Sequence, residues 1–217
     1  PGKGDITNMI RSYIHRCQKD GVKIVMNCEV TPELIKEEKP DSVIIATGSK
    51  TLILPIEGID NPAIIHGSDL LDGKRPAGKK VLVVGGGMVG CETAAFLGEQ
   101  EHDVTVIEFR DTVGADVIHE HRVYLMKDFE DYGIKEITGA KVCKFYEDGV
   151  EYETADGVRH ETRGYDSVIL SMGFCNYNPL EEKIKDLVPE THVIGDAIRA
   201  RRALDATKEA YEVASRL

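Results

Sequence analysis

Hydrophobic residues recur near the start of the chain at Ile6, Met9, Ile10, Tyr13, Ile14 and Cys17, the spacing of one face of a helix. Asp5 is placed to cap this helix and Gly21 to close it. The period then shortens. Val22 to Met26 reads as a strand, Pro32 to Glu37 as a helical turn, and Asp41-Ser42-Val43-Ile44-Ile45-Ala46 as a second strand. The stretch Leu54-Pro55-Ile56-Glu57-Gly58-Ile59-Asp60 has the composition of a linker, and Lys79-Lys80 leads into a buried strand from Val81 to Val84.

From Val81 the pattern predicts a strand, a glycine-rich turn, a helix over Met88 to Glu99, a strand over Asp103 to Ile107 and a helix over His119 to Asp131. Three β-type runs follow, at Val142 to Tyr146, Val150 to Glu153 and Ser167 to Leu170, with turns at Asp148-Gly149 and Asp156-Gly157, as in a small antiparallel meander. A strand from Thr191 ends in Gly195-Asp196, and a last helix carries Ala203, Ala206, Ala210, Val213 and Ala214 on one face. A doubly wound domain places its phosphate-binding turn after its first strand, so an opening domain that starts with a helix is expected to be truncated. Pro1 in place of an initiator Met agrees with a segment of a longer polypeptide. The expected boundaries give residues 1–78, 79–173 and 174–217.

Composition narrows the function classes. A net charge of −11 repels a phosphate backbone, which argues against nucleic acid as a partner. The five cysteines are scattered, with no C-x-x-C pair, so they read as reduced thiols of a cytoplasmic protein rather than a disulfide framework or metal cluster. No apolar run is long enough for a transmembrane helix, so no membrane partner is expected. His119 and His121, two apart on a helix, face different ways, and no metal site is expected.

The chemistry concentrates in Gly85-Gly86-Gly87-Met88-Val89-Gly90. By itself G-x-G-x-x-G is weak, but here it follows an apolar strand, opens a helix and lies in a βαβ unit whose second strand ends in an acid, Glu108, about 20 residues on. Gly85 allows the tight turn, Gly87 lets a pyrophosphate approach the backbone, and Gly90 lets helix and strand pack closely. The N–H groups of Met88 and Val89 are expected to face the anion at the positive end of the helix dipole. Glu108, with Phe109 and Arg110 beside it, is placed at the adenosine ribose. Its carboxylate accepts from the ribose hydroxyls and repels a 2′-phosphate, which favours NADH, whereas Arg110 could meet that phosphate.

With these residues in view, the chain resembles flavoproteins with two dinucleotide-binding domains, in particular the C-terminal FAD/NAD(P)-binding region of the 2,4-dienoyl-CoA reductase, enoate reductase and trimethylamine dehydrogenase family. The resemblance rests on five segments in order: Glu29 to Ile35 with Lys39-Pro40-Asp41, Ile45-Ala46-Thr47-Gly48-Ser49, Gly85 to Gly90 with Glu92, Ser171-Met172-Gly173-Phe174, and Val193-Ile194-Gly195-Asp196-Ala197. It implies an α/β architecture, a Rossmann-like NAD(P)H-binding domain inserted in a partial FAD-binding domain. It implies FAD contacts at Ala46, Thr47, Gly48 and Asp196, and a backbone turn at Gly173 near the nicotinamide. The family's first FAD glycine motif would precede Pro1. FMN and a 4Fe-4S cluster would lie in an N-terminal barrel outside this chain, so the remaining domains of the full-length flavoprotein are expected partners along with the nicotinamide dinucleotide.

The remaining candidates have plainer readings beside the functional ones. Cys91 is either a packing residue or a redox thiol, and packing is favoured in the absence of a partner cysteine beside it in the sequence. Glu92, read on the first turn of the same helix, is a dipole-favoured acid or a contact near the nicotinamide. Asp196 is a strand-end turn residue or the flavin's ribityl ligand, and Arg199, Arg201 and Arg202 are a solvated helix start or a meeting point for an acidic cofactor. The sequence therefore predicts the NADH-binding portion of a dienoyl-CoA or enoate reductase-like flavin oxidoreductase. The alternatives are another NADH:acceptor flavoprotein reductase and a non-catalytic NADH sensor.

Overall fold

The computed structural model of the chain describes residues 3–217. The chain runs through α1 (Gly4–Lys19), α2 (Pro32–Glu38), β1 (Ser42–Ile45), β2 (Ser49–Thr51), β3 (Ile65–His66), α3 (Gly67–Leu71), β4 (Lys80–Val84), α4 (Met88–Glu99) and β5 (Asp103–Ile107). It continues through α5 (His119–Asp131), β6 (Lys135–Ile137), β7 (Lys141–Tyr146), β8 (Gly149–Glu153), β9 (Arg159–Thr162), β10 (Ser167–Leu170), β11 (Phe174–Asn176), α6 (Glu181–Ile184), β12 (Glu190–Val193), a 3-10 turn (Gly195–Ala197) and α7 (Ala203–Ala214). These form two compact units, Thr51–Gly173 and the residues up to Lys50 with Phe174–Leu217. No helix among the described residues is long and apolar enough to cross a membrane.

The unit Thr51–Gly173 is built on a parallel sheet of order β3-β10-β4-β5-β6. Val81 and Val83 of β4, Val104 and Val106 of β5 and Ile169 of β10 pack with Cys91, Ala94 and Leu97 of α4 and with Leu125 and Phe129 of α5. Their neighbours Leu82, Val84, Ile107, Val168 and Leu170 point the opposite way, into a cluster with Val142, Phe145 and Val150 of the antiparallel β7-β8-β9 sheet. Burial on both faces requires unbroken apolar strands, which is what KVLVV and SVIL provide. At about 1.5–3 kcal/mol for each buried Val, Leu or Ile, a slip in register would be costly. β4 has β5 on one side, reached through α4, and β10 on the other, so the strand order switches between β4 and β10. Open α/β sheets bind ligands beyond the carboxyl ends of the strands at such a point.

The other unit pairs β1 with β12 in parallel, Ile45 opposite Val193, and β2 with β11. Its core is Ile35, Ile45, Leu180, Ile184 and Val188. Thr31 starts α2 by accepting from the Leu34 N–H at 3.3 Å, and Pro32 fills the first position, where a missing N–H costs nothing.

Four readings are corrected. Asp5 does not cap α1 but lies inside its first turn, after Lys3. Val22 to Met26 is not a strand: it has no ladder partner among the described residues, and Val22, Ile24, Val25 and Met26 are exposed. The strand near the end stops at Val193, and Gly195-Asp196 belongs to the 3-10 turn. Finally, the stretch 54–60 is no free linker. Ile56 and Ile59 pack on the cluster of Leu82 and Phe145, the Phe145 N–H donates to the Glu57 carbonyl at 2.8 Å, and Lys144 pairs with Glu57 at 2.6 Å. The compact unit therefore begins at Thr51, well before residue 79. Helix α1 buries none of its residues, and the apolar face of Ile6, Met9, Ile10, Tyr13 and Ile14 stays roughly half exposed.

Candidate functional site

Three segments meet at the carboxyl ends of β4, β5 and β10: the glycine turn Gly85–Gly90, the tip Glu108–Arg110 and the turn Ser171–Gly173. The Gly85 N–H donates to the Ile107 carbonyl at 2.9 Å and the Ser171 N–H to the Val84 carbonyl at 2.8 Å, which fixes all three to one edge of the sheet. Gly85 has φ +105, and a Cβ there would lie 2.4 Å from the Ser171 carbonyl oxygen. At Gly90 a Cβ would fall 1.8 Å from the Gly85 carbonyl oxygen, and at Gly86 it would meet Glu108 and Val113 side chains at 2.9 Å. These three glycines are demanded by the fold itself.

Gly87 is different. Its φ is −72, and the nearest atoms to a Cβ are the carboxylate of Asp116 at 3.3 Å, with no backbone close by. Only that one side chain would meet a Cβ here, so the missing side chain keeps open the ground in front of the first turn of α4.

Glu108 is held by the backbone around it. One oxygen accepts from the Gly86 N–H at 2.6 Å and the other from the Arg110 N–H at 2.9 Å, so the carboxylate is fixed at the tip of β5 beside the turn. Each oxygen keeps a second lone pair, sufficient for ribose hydroxyls. Phe109 is exposed next to it, as is Arg110.

Cys91 lies behind the turn, fully buried, its thiol donating to the Gly86 carbonyl at 3.2 Å. Burial pushes its pKa up to about 12, assisted by the charges of Asp116, Glu136 and Glu108. A thiol so protonated is no nucleophile at neutral pH, which decides for packing. Glu92 is the fifth residue of α4, beyond the first turn, which corrects its expected place against the dipole.

Of the two amides expected to face an anion, that of Met88 is not open. The Met88 N–H already donates to a carboxylate of this chain, Asp116 Oδ1, at 2.9 Å. Asp116 was missed in the sequence because it acts from a loop 28 residues downstream, with no local spacing to mark it.

In the other unit, Ala46-Thr47-Gly48 follows β1 and Gly195-Asp196 follows β12, so parallel pairing brings them side by side. Asp196 Oδ2 accepts from the Ser49 hydroxyl at 3.2 Å, and Oδ1 from the Arg201 N–H at 3.0 Å. Gly48 has φ +78, its carbonyl accepts from the Tyr177 N–H at 3.0 Å, and the Thr47 hydroxyl donates to the Tyr177 carbonyl at 2.5 Å. Lys50 lies 3.6 Å above the Tyr177 ring. Glu209 of α7, another residue that spacing did not reveal, accepts from the Gly195 N–H at 2.7 Å and pairs with Arg201 at 2.5 Å. Of the arginine cluster, Arg201 is thus taken up by the chain's own acid.

A parallel sheet with its glycine turn at a strand-order switch, and a fixed acid at the next strand tip, defines a dinucleotide-binding domain of the class found in flavoprotein oxidoreductases. The chain belongs to the pyridine nucleotide-disulphide oxidoreductase family, whose model matches residues 4–187. Cinnamate reductase of Clostridium sporogenes is 29% identical over 218 residues, covering 99% of this chain and 32% of that protein. NADH oxidase of Thermoanaerobacter brockii is 31% identical over 220 residues, covering 99% of this chain and 34% of its own length. The solved structure of a 2-naphthoyl-CoA reductase in complex with 2-naphthoyl-CoA superposes with a TM-score of 0.89 at 31% identity, over 98% of this chain and 32% of that one. The chain thus spans about a third of these relatives. They agree with the resemblance carried by the five motifs, to the FAD/NAD(P)-binding region of the enoate and dienoyl-CoA reductases. Disulphide reduction by members of the wider family would need a cysteine pair, and the five cysteines here are free, with no C-x-x-C pair in the sequence.

Proposed function

We propose that Thr51–Gly173 binds NADH and that the chain is the dinucleotide-handling portion of a longer flavin-dependent oxidoreductase of the dienoyl-CoA or enoate reductase kind. The observation that carries this is Gly87. Its neighbours Gly85, Gly86 and Gly90 are required by close backbone or side-chain approach, whereas a Cβ at Gly87 would meet only the side chain of Asp116, at 3.3 Å, which leaves the start of α4 open to a group that displaces that carboxylate. A diphosphate fits there, since the backbone can approach it closely and the helix dipole favours its charge.

In this reading the amides at the start of α4 hold the diphosphate, Glu108 accepts from the adenosine ribose with Phe109 and Arg110 beside it, and the Gly173 turn lies toward the nicotinamide. Ala46, Thr47, Gly48 and Asp196 are the FAD contacts, as the family pattern has them, in a domain formed by the residues up to Lys50 and from Phe174 on. When bound, NADH supplies a hydride and FAD accepts it. The chain's own part is to bind, orient and set charge. FMN, the 4Fe-4S cluster and the unsaturated substrate belong to other parts of the longer protein, in a cytoplasmic setting that keeps the cysteines reduced.

Glu108 gives the test. Its fixed charge repels a 2′-phosphate, so calorimetric titration of the full chain should show tighter binding of NADH than of NADPH. Glu108→Gln keeps an acceptor but removes the charge, and should narrow that preference about ten-fold, the equivalent of ~1.4 kcal/mol. A wild-type preference for NADPH, or an unchanged preference in the variant, would contradict the assignment.

A further inference from the structure

The carboxylate at the start of α4 is held there by design of its loop. Residues 111–118 fold back over the glycine turn: the Gly114 N–H donates to the Gly86 carbonyl at 2.7 Å, Val113 is fully buried beside Gly86, and the Val117 N–H closes on the Gly114 carbonyl at 3.1 Å. Arg122 clamps the loop from α5, its guanidinium donating to the Thr112 hydroxyl at 2.9 Å and the Val113 carbonyl at 3.1 Å. Between these anchors Asp116 reaches Met88 N–H, and its two oxygens are the atoms nearest to the space left at Gly87. Gly87, the N-cap residue of α4, has no side chain to cap the helix, so Asp116 does so from outside. An anion of the chain thus stands where the approaching diphosphate needs both the amide and the room.

We propose that Asp116 is a displaceable internal anion that competes with the dinucleotide's diphosphate for the start of α4, lowering affinity and easing release. The inference rests on the dinucleotide reading of this site. Two negative groups cannot share one amide, and at close range in a partly exposed site their repulsion is of a size that changes affinity several-fold. Arrival of the ligand therefore requires Asp116 to leave Met88, and its return favours departure.

The test uses the full chain, titrated with NADH and with ADP, and two variants. Asp116→Asn removes the charge and keeps an acceptor for the Met88 amide; Asp116→Ala removes both. Both should bind NADH and ADP roughly three- to thirty-fold more tightly than wild type, with slower NADH dissociation in stopped flow. Asp116→Ala should also melt lower when free yet gain more on saturation with NADH, because the ligand then replaces the lost cap. If wild type binds and both variants, still folded by circular dichroism, bind no more tightly, Asp116 is only a structural cap and the proposal is overturned while the site stands. If neither wild type nor the variants bind NADH or ADP, the dinucleotide reading fails and the proposal with it.

Discussion

Single residues at the glycine turn divide by what surrounds them. Cys91 and Glu108 sit on either side of the same backbone, and their surroundings give them opposite roles: burial keeps the thiol protonated, with its pKa at about 12, while two backbone N–H groups hold the carboxylate at the surface. Cys91 should therefore resist iodoacetamide in the native chain at neutral pH, while exposed Cys28 and Cys175 are alkylated. Mass spectrometry of the digested product checks this, and modification of Cys91 before unfolding would show that its burial is misjudged. The glycines and Glu108 were legible in the sequence because their spacing is imposed by one βαβ unit. Asp116, Ser49 and Glu209 were not, because each meets its partner through the fold, across 28, 147 and 14 residues respectively.

Whole elements follow from the same rules of spacing. Helix α4 lies close on the sheet because Gly90 lets its backbone meet the Gly85 carbonyl, and Gly90→Ala would press a methyl into that oxygen. Overpacking against rigid backbone should cost ~3 kcal/mol or more, read as a fall in urea midpoint; an unchanged midpoint would mean the turn yields freely. In the other unit, α7 is tied to the turn after β12 through Glu209. Arg201, and then the Gly195 N–H, hold its carboxyl below the ordinary value of 4.5. A depressed carboxyl stabilises the folded form fully above its unfolded pKa and loses that contribution as the pH falls through the folded one. Glu209→Gln should thus melt below wild type at neutral pH, with the gap closing as the pH drops below about 4.5; a gap that persists in acid would exclude the charge as its source. The long apolar elements, β4, α4, β5 and β10, were readable because burial on one or two faces writes a period into the sequence. The short β6 and β9, KEI and RHET, carry no such period and are set by pairing with β5 and β8. Conversely, Val22 to Met26 has strand composition without a partner strand among the described residues, and composition alone makes no ladder.

At the scale of the molecule, each of the two compact units carries a candidate site where its parallel strands end. The division falls at Lys50 and Gly173 rather than near residue 78, since Ile56, Ile59, Ile64 and Ile65 belong to the core of the central unit. A Pro- and Gly-containing stretch looks like a linker in sequence because its isoleucines are too few to show a period, yet they are what anchor it. Dinucleotide binding by this unit requires a diphosphate resting at Gly87. The direct measurement is calorimetric titration of NADH into the full chain and into Gly87→Val. Saturable one-to-one binding is expected of the wild type and, in a variant that remains folded by circular dichroism, a loss of affinity of at least about a hundred-fold, equivalent to ~2.8 kcal/mol. Equal affinity in the folded variant would contradict it.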